Sequence, residues 1–339
     1  MISTLNLSGF KSFLENEIEF NNLTILTGVN SSGKSSVLQA LLILQNAFNN
    51  HSDILLEDHG SLKDIKNPYQ KENIVFTVTD RDNHESELEL VDDFLTGNNF
   101  KLFKDHLNFP EIIYISANRV GPRNTVPIYN NLSLVNKIGK NGENLFQFIR
   151  CYESHTLNSS LIHPNSEGNT VEFNIRGWLS VISPNVKFTY NIDEISDTSY
   201  GMFNGYRSTN VGFGLSYSLS VISALLISTL IPNSLLIIEN PEAHLHPKGQ
   251  IEIARLIALC SNLGTQIIIE THSDHVFDSI RVACKEIPGY NEKVQIHWFE
   301  LNEFGNTKVI SPTIDDDGRL DDWPKGLFDQ FEINASKLL

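Results

Sequence analysis

The feature that most constrains this chain is the segment Gly28–Ser35, with the sequence GVNSSGKS. It fits the pattern GxxxxGK[ST]. The apolar run Leu23–Leu26 before it predicts a short buried strand, and apolar residues at helical spacing from Lys34 to Phe48 predict a helix after it. A strand, a glycine-containing loop and a helix in this order predict a phosphate-binding loop, because loop N–H groups and a helix N-terminus both favour an anion.

Each residue type in this loop has a chemical reason. Glycine lets the backbone turn its N–H groups towards the phosphates. Lys34 is expected to neutralise the β and γ phosphates of ATP, and Ser35 is expected to ligate Mg²⁺. The residues predicted to bind the nucleotide in this loop are Gly28, Asn30, Ser31, Ser32, Gly33, Lys34, Ser35 and Ser36.

The rest of the chain predicts an α/β fold. Alternating strands and helices after Gly214 indicate a mostly parallel central sheet flanked by helices, and the early strands indicate an antiparallel β lobe at the N-terminus. The predicted strands are 2–7, 17–20, 23–26, 74–78, 88–91, 112–115, 235–238, 266–269, 294–301 and 307–312. Residues 124–200 predict an inserted mixed α/β segment. The predicted later helices are 143–152, 171–180, 215–229, 248–260 and 273–283.

Two predicted strands of the second half end in polar residues. Glu239 follows the apolar run Leu235–Ile238, and the next strand leads into Glu270 and His272. Ligands of parallel sheets bind beyond the carboxyl ends of the strands. Glu239 is therefore predicted to hold Mg²⁺, directly or through water, and His272 is predicted to reach the γ-phosphate.

Composition excludes some classes of protein. The net charge of −16 repels a phosphate backbone and argues against a dedicated nucleic-acid-binding surface. No run of eighteen apolar residues predicts a membrane span, and the first residues do not resemble a secretion signal. Cys151, Cys260 and Cys284 are far apart, which favours reduced thiols and a cytoplasmic protein.

Together the segments GVNSSGKSS, LLIIENPEAHLHP and IIIETHSDHV resemble the ABC-type ATPase domains of the SMC, RecF and overcoming-lysogenization-defect families. The opening LNLSGFKSF is also typical of them. The tail Ile314–Gln330 resembles a short C-terminal module found in small bacterial AAA-type ATPases. The resemblance implies a single ATPase head. Its segments are 1–123 with the phosphate loop, 124–204 as the insertion, 205–285 with the signature, Walker B and switch motifs, and 286–339 with the final strands and tail.

Further residues receive roles from the resemblance alone. The segment Asn210–Ser216 stands where the family has its signature motif, which contacts the γ-phosphate held by a second subunit. The residues implied there are Asn210, Gly212, Gly214 and Ser216. Ala243–His246 corresponds to the D-loop at a dimer seam. The metal-contacting glutamine of the family is assigned to Gln70, with Gln45 as a poorer alternative.

One residue departs from the family pattern. The residue after the Walker B acid is usually a glutamate that orients the attacking water, and here it is Asn240. An amide does not accept a proton at neutral pH, although it can position water. Glu242, two residues later, is the alternative base. The catalytic residues are therefore predicted to be Glu239, Asn240, Glu242 and His272, with slow hydrolysis.

The resemblance implies a homodimer of heads around ATP that acts on a partner protein, plausibly a nuclease or other toxic effector in anti-phage defence. The segment after Ala283 leaves no room for the Toprim nuclease of the overcoming-lysogenization-defect family. A RecF-like DNA-repair ATPase is the alternative, and the acidic charge speaks against it. A third hypothesis is a metal-dependent nuclease. Its ligands would be His244, His246, Glu242 and Glu270.

Overall fold

The computed structural model describes residues 1–51, 53–57, 59–91 and 100–338. The chain forms two compact units. The first unit combines Met1–Ile112, Glu292–Asp315 and Arg319–Leu339, and the second combines Ile113–Asn291 and Asp316–Gly318. Most of the C-terminal segment therefore folds with the N-terminal segment. The division of a single head into four sequence segments stays a prediction.

Strands and helices are numbered in chain order. The strands are β1 (Ile2–Phe10), β2 (Phe13–Glu19), β3 (Leu23–Gly28), β4 (Ile74–Asp80), β5 (Glu85–Leu90), β6 (Phe100–Lys104), β7 (Glu111–Ile115), β8 (Val126–Pro127), β9 (Phe188–Asp193), β10 (Thr198–Phe203), β11 (Tyr206–Arg207), β12 (Ser234–Glu239), β13 (Gln266–Glu270), β14 (Val294–Leu301) and β15 (Thr307–Ile310). The helices are α1 (Lys34–Phe48), α2 (Leu62–Ile65), α3 (Leu132–Val135), α4 (Leu145–Tyr152), α5 (Val171–Ile182), α6 (Phe213–Ser228), α7 (Pro247–Asn262), α8 (Asp274–Glu286) and α9 (Gln330–Leu338).

An antiparallel sheet with the order β2-β1-β4-β5-β6 lies in the first unit. In β1, Leu5 lies opposite Ile18 of β2 and Val78 of β4, and all three side chains are buried. The next residue, Asn6, lies opposite Glu17 and points to the other face. This alternation is the pattern of strands with one face against a core, so the predicted antiparallel lobe is confirmed.

A second group of strands in the first unit has the order β15-β14-β3. β14 runs parallel to β3, with Ile296 opposite Ile25 and Phe299 opposite Gly28. Every residue of β3 is buried. Burial on both faces explains why β3 has no exposed polar face, and its two threonines, Thr24 and Thr27, are buried as well.

The second unit contains the parallel pair β12 and β13, whose register places Ile237 opposite Ile268 and Glu239 opposite Glu270. Both strands are apolar between a polar first residue and a glutamate at the end. The helix α6 is buried all round from Ser218 to Ser228, as expected of an interior helix. The strand–helix alternation predicted for this region is confirmed.

A small sheet of β8, β9, β10 and β11 in the second unit was not predicted. β9 and β10 form an antiparallel hairpin, and the buried positions of β10 are Ser199, Gly201 and Phe203. Two of these three residues are not apolar, so the sequence shows no clear period of two. The predicted helices of the same segment are confirmed as α4 and α5.

The observed bounds of the helices and strands can be compared with the predicted ones. The helix α1 and the strand β14 have the predicted bounds. The strand β1 continues past Leu7 to Phe10 because it pairs with a neighbour on each side. None of the helices in the described ranges combines the length and the apolar character needed to cross a membrane.

A buried histidine in β14 makes the stability of the first unit depend on pH. His297 is 1 % exposed, and its ring nitrogens lie 2.7 Å from Ser311 Oγ and 2.7 Å from the carbonyl oxygen of Glu19. The carbonyl only accepts, so Nε2 carries the hydrogen and Nδ1 accepts from Ser311. Burial lowers the pKa of His297 from 6.5 to about 4, so the neutral ring is the folded form.

We expect this histidine to destabilise the fold in acid. Its pKa is lower in the folded chain than in the unfolded chain, so stability is lost as the pH falls through 6.5 towards about 4. The loss between pH 7 and pH 5 is roughly 2 kcal/mol. Urea unfolding of the wild type and of His297→Gln at both pH values measures it. Equal pH dependence in the two proteins would refute this prediction.

Candidate functional site

The phosphate loop connects β3 to α1 in the first unit. Gly28 has φ 141° and Gly33 has φ 114°, values that favour glycine. A Cβ on Gly28 would lie 2.6 Å from the backbone nitrogen of Phe299, and one on Gly33 would lie 2.7 Å from Thr307 Oγ1. Both glycines of the motif are therefore required by backbone conformation and by space.

Lys34 lies over this loop. Its Nζ donates to the carbonyl oxygens of Gly28 at 3.1 Å and Val29 at 2.8 Å, and the residue is 3 % exposed. Ser32 Oγ donates to the same Val29 carbonyl at 2.7 Å. The amine is thus held inside the turn of the loop, where its charge favours an anion. Of the other predicted binding residues, the exposed ones are Asn30, Ser31 and Ser35, and Ser36 is buried.

Sequence reasoning missed the residue that fastens this loop. Thr307 Oγ1, on β15, donates to the carbonyl oxygen of Ser32 at 2.8 Å, and it lies 2.7 Å from Ser12 Oγ. Its backbone N–H also donates to the Ser12 carbonyl at 2.7 Å. These bonds tie together three segments that are far apart in the sequence, and no local motif marks Thr307.

Gln70, the predicted metal-contacting glutamine, packs against β1. Its Nε2 donates to Ser8 Oγ at 3.2 Å, and a Cβ on Gly9 would lie 2.6 Å from Gln70 Cγ. Its assignment to Mg²⁺ stays a prediction.

In the second unit, Glu239 ends β12 and its carboxylate is held by two donors. Tyr114 Oη donates to Oε1 at 2.7 Å, and the backbone N–H of Ala117 donates to Oε2 at 2.8 Å. Burial and the negative charge of Glu239 raise the pKa of Tyr114, which keeps the phenol protonated as a donor. A carboxylate has about four lone-pair sites, so two remain for a metal ion or water.

Arg119 holds the backbone of the same strand end. It is 2 % exposed, and its guanidinium donates to the carbonyl oxygens of Ser116 at 3.2 Å, Glu239 at 2.8 Å and Asn240 at 2.6 Å. It also lies over the ring of Tyr217, 5.1 Å from the centroid. Burial lowers its pKa to about 10, opposed by the charge of Glu242, so it stays charged at neutral pH.

Asn240 has a left-handed backbone, with φ 44°. Its N–H donates to the carbonyl of Glu270 at 2.8 Å, and its carbonyl accepts from the N–H of Ala243 at 3.0 Å. Asparagine adopts this conformation several times more readily than most residues. The amide that departs from the family pattern therefore has a backbone reason. Its proposed role towards water stays a prediction.

Glu242 joins two strand ends. Its Oε1 accepts from the backbone N–H of His272 at 3.1 Å, and its buried Oε2 has no hydrogen-bond partner among the described atoms. Burial raises the pKa of Glu242, against the opposing effect of hydrogen bonds from its own backbone, from the His272 backbone and from the Thr271 side chain, and of the charge of Arg119. A carboxylate with a raised pKa is a better proton acceptor than a free one. The residue His272 is exposed.

The predicted signature segment lies at the start of α6. A Cβ on Gly214 would lie 2.8 Å from the carbonyl oxygen of His244, whereas a Cβ on Gly212 would meet no atom within 4 Å. Asn210 and Gly212 are exposed. The hydroxyl of Ser216 is buried without a hydrogen-bond partner among the described atoms, so it points inwards.

The histidines of the nuclease hypothesis have structural contacts. The ring of His244 lies 4.6 Å from that of Tyr217, and His246 Nδ1 accepts from the N–H of Lys248 at the start of α7. Among the described residues, the group with ligand atoms close enough to share a metal is Asp80, Asp82 and His84, in the turn between β4 and β5. His244, His246, Glu242 and Glu270 form no such group, so the geometry does not favour that hypothesis.

Three family models match the chain. The model described as "AAA ATPase domain" matches residues 1–147, and the model "AAA domain, putative AbiEii toxin, Type IV TA system" matches residues 204–278. A "Protein of unknown function (DUF3696)" model matches residues 290–338, which contain the whole tail Ile314–Gln330. No curated protein sequence matches the chain at a significant level.

Among solved structures, the chain is similar to an SMC head bound to the C-terminal winged-helix domain of ScpA, with a TM-score of 0.58, 16 % identity, and coverage of 93 % of this chain and 98 % of that one. It is also similar to an SMC head with an extended coiled coil bound to the C-terminal domain of ScpA from Pyrococcus furiosus, with a TM-score of 0.54, 13 % identity, and coverage of 100 % and 99 %. At this identity the likeness concerns the fold.

Fold and loop together define a P-loop NTPase fold of the SMC-head type. The chain matches AAA-type ATPase family models over residues 1–147 and 204–278, has the fold of SMC heads, and matches the DUF3696 model over residues 290–338. The predicted fold class and the predicted family are confirmed.

Proposed function

We propose that this protein binds ATP with Mg²⁺, pairs head to tail with a second copy around the nucleotide, and hydrolyses ATP slowly while acting on a partner protein. The observation that carries the proposal is the phosphate loop. Its glycines leave no room for a side chain, and its lysine amine is held against the loop carbonyls of Gly28 and Val29. Such a loop binds the phosphates of a nucleotide.

The metal is assigned to oxygen ligands, as Mg²⁺ prefers. Ser35 is exposed at the start of α1, and the Glu239 carboxylate keeps lone pairs beyond its two hydrogen bonds. Gln70 is proposed as a further contact. His272 is exposed beyond β13, in keeping with a role towards the γ-phosphate.

A second copy is proposed as the partner of the α6 N-terminus. The residue before α6, Gly212, is open to solvent, and Phe213 is 57 % exposed. A helix N-terminus favours a phosphate. Two identical heads related by a two-fold axis would each present this end to the other's nucleotide.

The proposed effector role has support from the comparisons. The solved SMC heads are bound to domains of ScpA, so proteins with this fold bind other proteins. One matching family model is named for the AbiEii toxin and a type IV toxin–antitoxin system. We therefore propose a cytoplasmic ATPase that controls a nearby effector, such as a nuclease or other toxin, in anti-phage defence.

ATP-dependent dimerisation tests this proposal. Light scattering after size-exclusion chromatography should give a monomer without nucleotide and a dimer with ATP and Mg²⁺. Lys34→Ala should lose ATP binding in calorimetry and the dimer with it. Gly212→Glu should keep ATP binding and lose the dimer, because the added charge stands on the proposed contact without meeting atoms of its own chain.

Ile195→Glu is the matched control for the added charge, since Ile195 is 98 % exposed on the turn between β9 and β10. This variant should dimerise like the wild type. A Gly212→Glu protein that dimerises with ATP would contradict the proposed interface, and ATP binding at full affinity by Lys34→Ala would contradict the proposed nucleotide site.

Hydrolysis should be slower than the common enzyme value of about 10 s⁻¹ and should depend on Glu242. We expect Glu242→Gln to lower turnover by about tenfold or more while ATP still binds. The wild-type rate should fall as the pH drops through the raised pKa of Glu242, above the ordinary value of 4.5. A phosphate-release assay across pH measures both effects, and a variant as fast as the wild type would exclude Glu242 as the base.

A further inference from the structure

Arg119 is almost completely buried, although arginine is usually exposed at the protein surface. Its three hydrogen bonds all go to backbone carbonyl oxygens, those of Ser116, Glu239 and Asn240. A buried arginine is often a purely structural clamp between two loops. The positions of the atoms that it binds argue for more than that.

Two of those carbonyl oxygens belong to Glu239 and Asn240, which are consecutive residues and are both predicted to be catalytic. Holding the carbonyls of Glu239 and Asn240 fixes both peptide planes, and with them the direction of the Glu239 side chain and the left-handed backbone of Asn240. The chain segment that contains Arg119 also holds the Glu239 carboxylate, through Tyr114 of β7 and Ala117. Side chain and backbone of one residue are thus positioned by a single segment.

The Arg119 guanidinium lies over the ring of Tyr217 on α6. The ring of Tyr217 also contacts the ring of His244, and a Cβ on Gly121 would lie 3.2 Å from Tyr217 Cε2. Helix α6, the turn that contains His244 and the loop that contains Gly121 therefore meet around the Tyr217 ring, over which Arg119 lies. A movement at the start of α6 would reach the Glu239 end of β12 through these contacts.

Two buried atoms near this junction have unmet hydrogen-bonding capacity. Neither Arg119 Nε nor Glu242 Oε2 has a hydrogen-bond partner among the described atoms. The charge of Glu242 acts on Arg119, so the two groups are electrostatically coupled without a direct bond. Buried unsatisfied groups are costly, so a small shift of the turn that satisfied them would be favoured.

We propose that Arg119 is the positioning residue that couples the α6 N-terminus to the Glu239–Glu242 turn, so that contact of α6 with a second copy changes the orientation of that turn. The inference rests on the proposed function and names how the same site is regulated. Arg119 itself touches no reacting atom in this account. It acts by orienting Glu239, Asn240 and Glu242.

Arg119→Lys tests the inference, because lysine keeps the charge but has neither the planar fork nor the stacking face. ATP affinity should stay within about threefold of the wild type, since the phosphate loop does not involve Arg119. The kcat should fall about tenfold or more with KM nearly unchanged, because only the positioning of the turn is lost. Arg150→Lys, an exposed arginine of α4 in the same unit, is the matched control and should keep the wild-type rate.

The ring of Tyr217 gives a second test that does not depend on Arg119→Lys folding. Tyr217→Leu should lower kcat in the same way, and Tyr217→Phe, which keeps the ring, should restore most of the rate. Wild-type kcat in Arg119→Lys or in Tyr217→Leu, with thermal stability alone reduced, would overturn the inference and leave a structural clamp. A wild-type protein that binds and hydrolyses no ATP would instead overturn the proposed function.

Discussion

Parallel pairing of buried strands is the constraint on which both groups of candidate residues depend. In the first unit β3 and β14 run side by side until Gly28 lies opposite Phe299, and the phosphate loop starts there. In the second unit β12 and β13 run side by side until Glu239 lies opposite Glu270, and the polar turns start there. The apolar residues of these strands are buried, so the register cannot slip without exposing them. The strand register therefore decides where each functional side chain lies.

Close approach of backbone segments explains the residue types at those strand ends. Gly28 and Gly33 stand where Phe299 and Thr307 leave no space for a Cβ, and Gly214 stands against the carbonyl of His244. The charged groups near the Glu239 strand end are also held by nearby hydrogen-bonding groups. The buried Arg119 is held by carbonyl groups, and the Glu239 carboxylate is held by one hydroxyl and one backbone N–H. Such hydrogen bonds orient side chains firmly in a buried environment.

The sequence predicts what is local. The loop Gly28–Ser35, the bounds of α1 and the strand ending in Glu239 follow from residues close together in the chain. The sequence does not predict hydrogen-bond partners that are distant along the chain. Tyr114 lies 125 residues from Glu239 in the chain, and Thr307 lies 275 residues from Ser32. The sequence also does not predict the left-handed backbone of Asn240, because a departure from a motif looks the same whether chemistry or backbone conformation requires it.

The central claim is that this chain binds ATP with a metal ion held by Glu239. Calorimetric titration of ATP with and without Mg²⁺, on the wild type and on Glu239→Gln, tests it most directly. Mg²⁺ should increase the ATP affinity of the wild type about tenfold or more, and Glu239→Gln should lose that increase while its metal-free affinity stays the same. Equal increases in both proteins, or no ATP binding by the wild type, would contradict the claim.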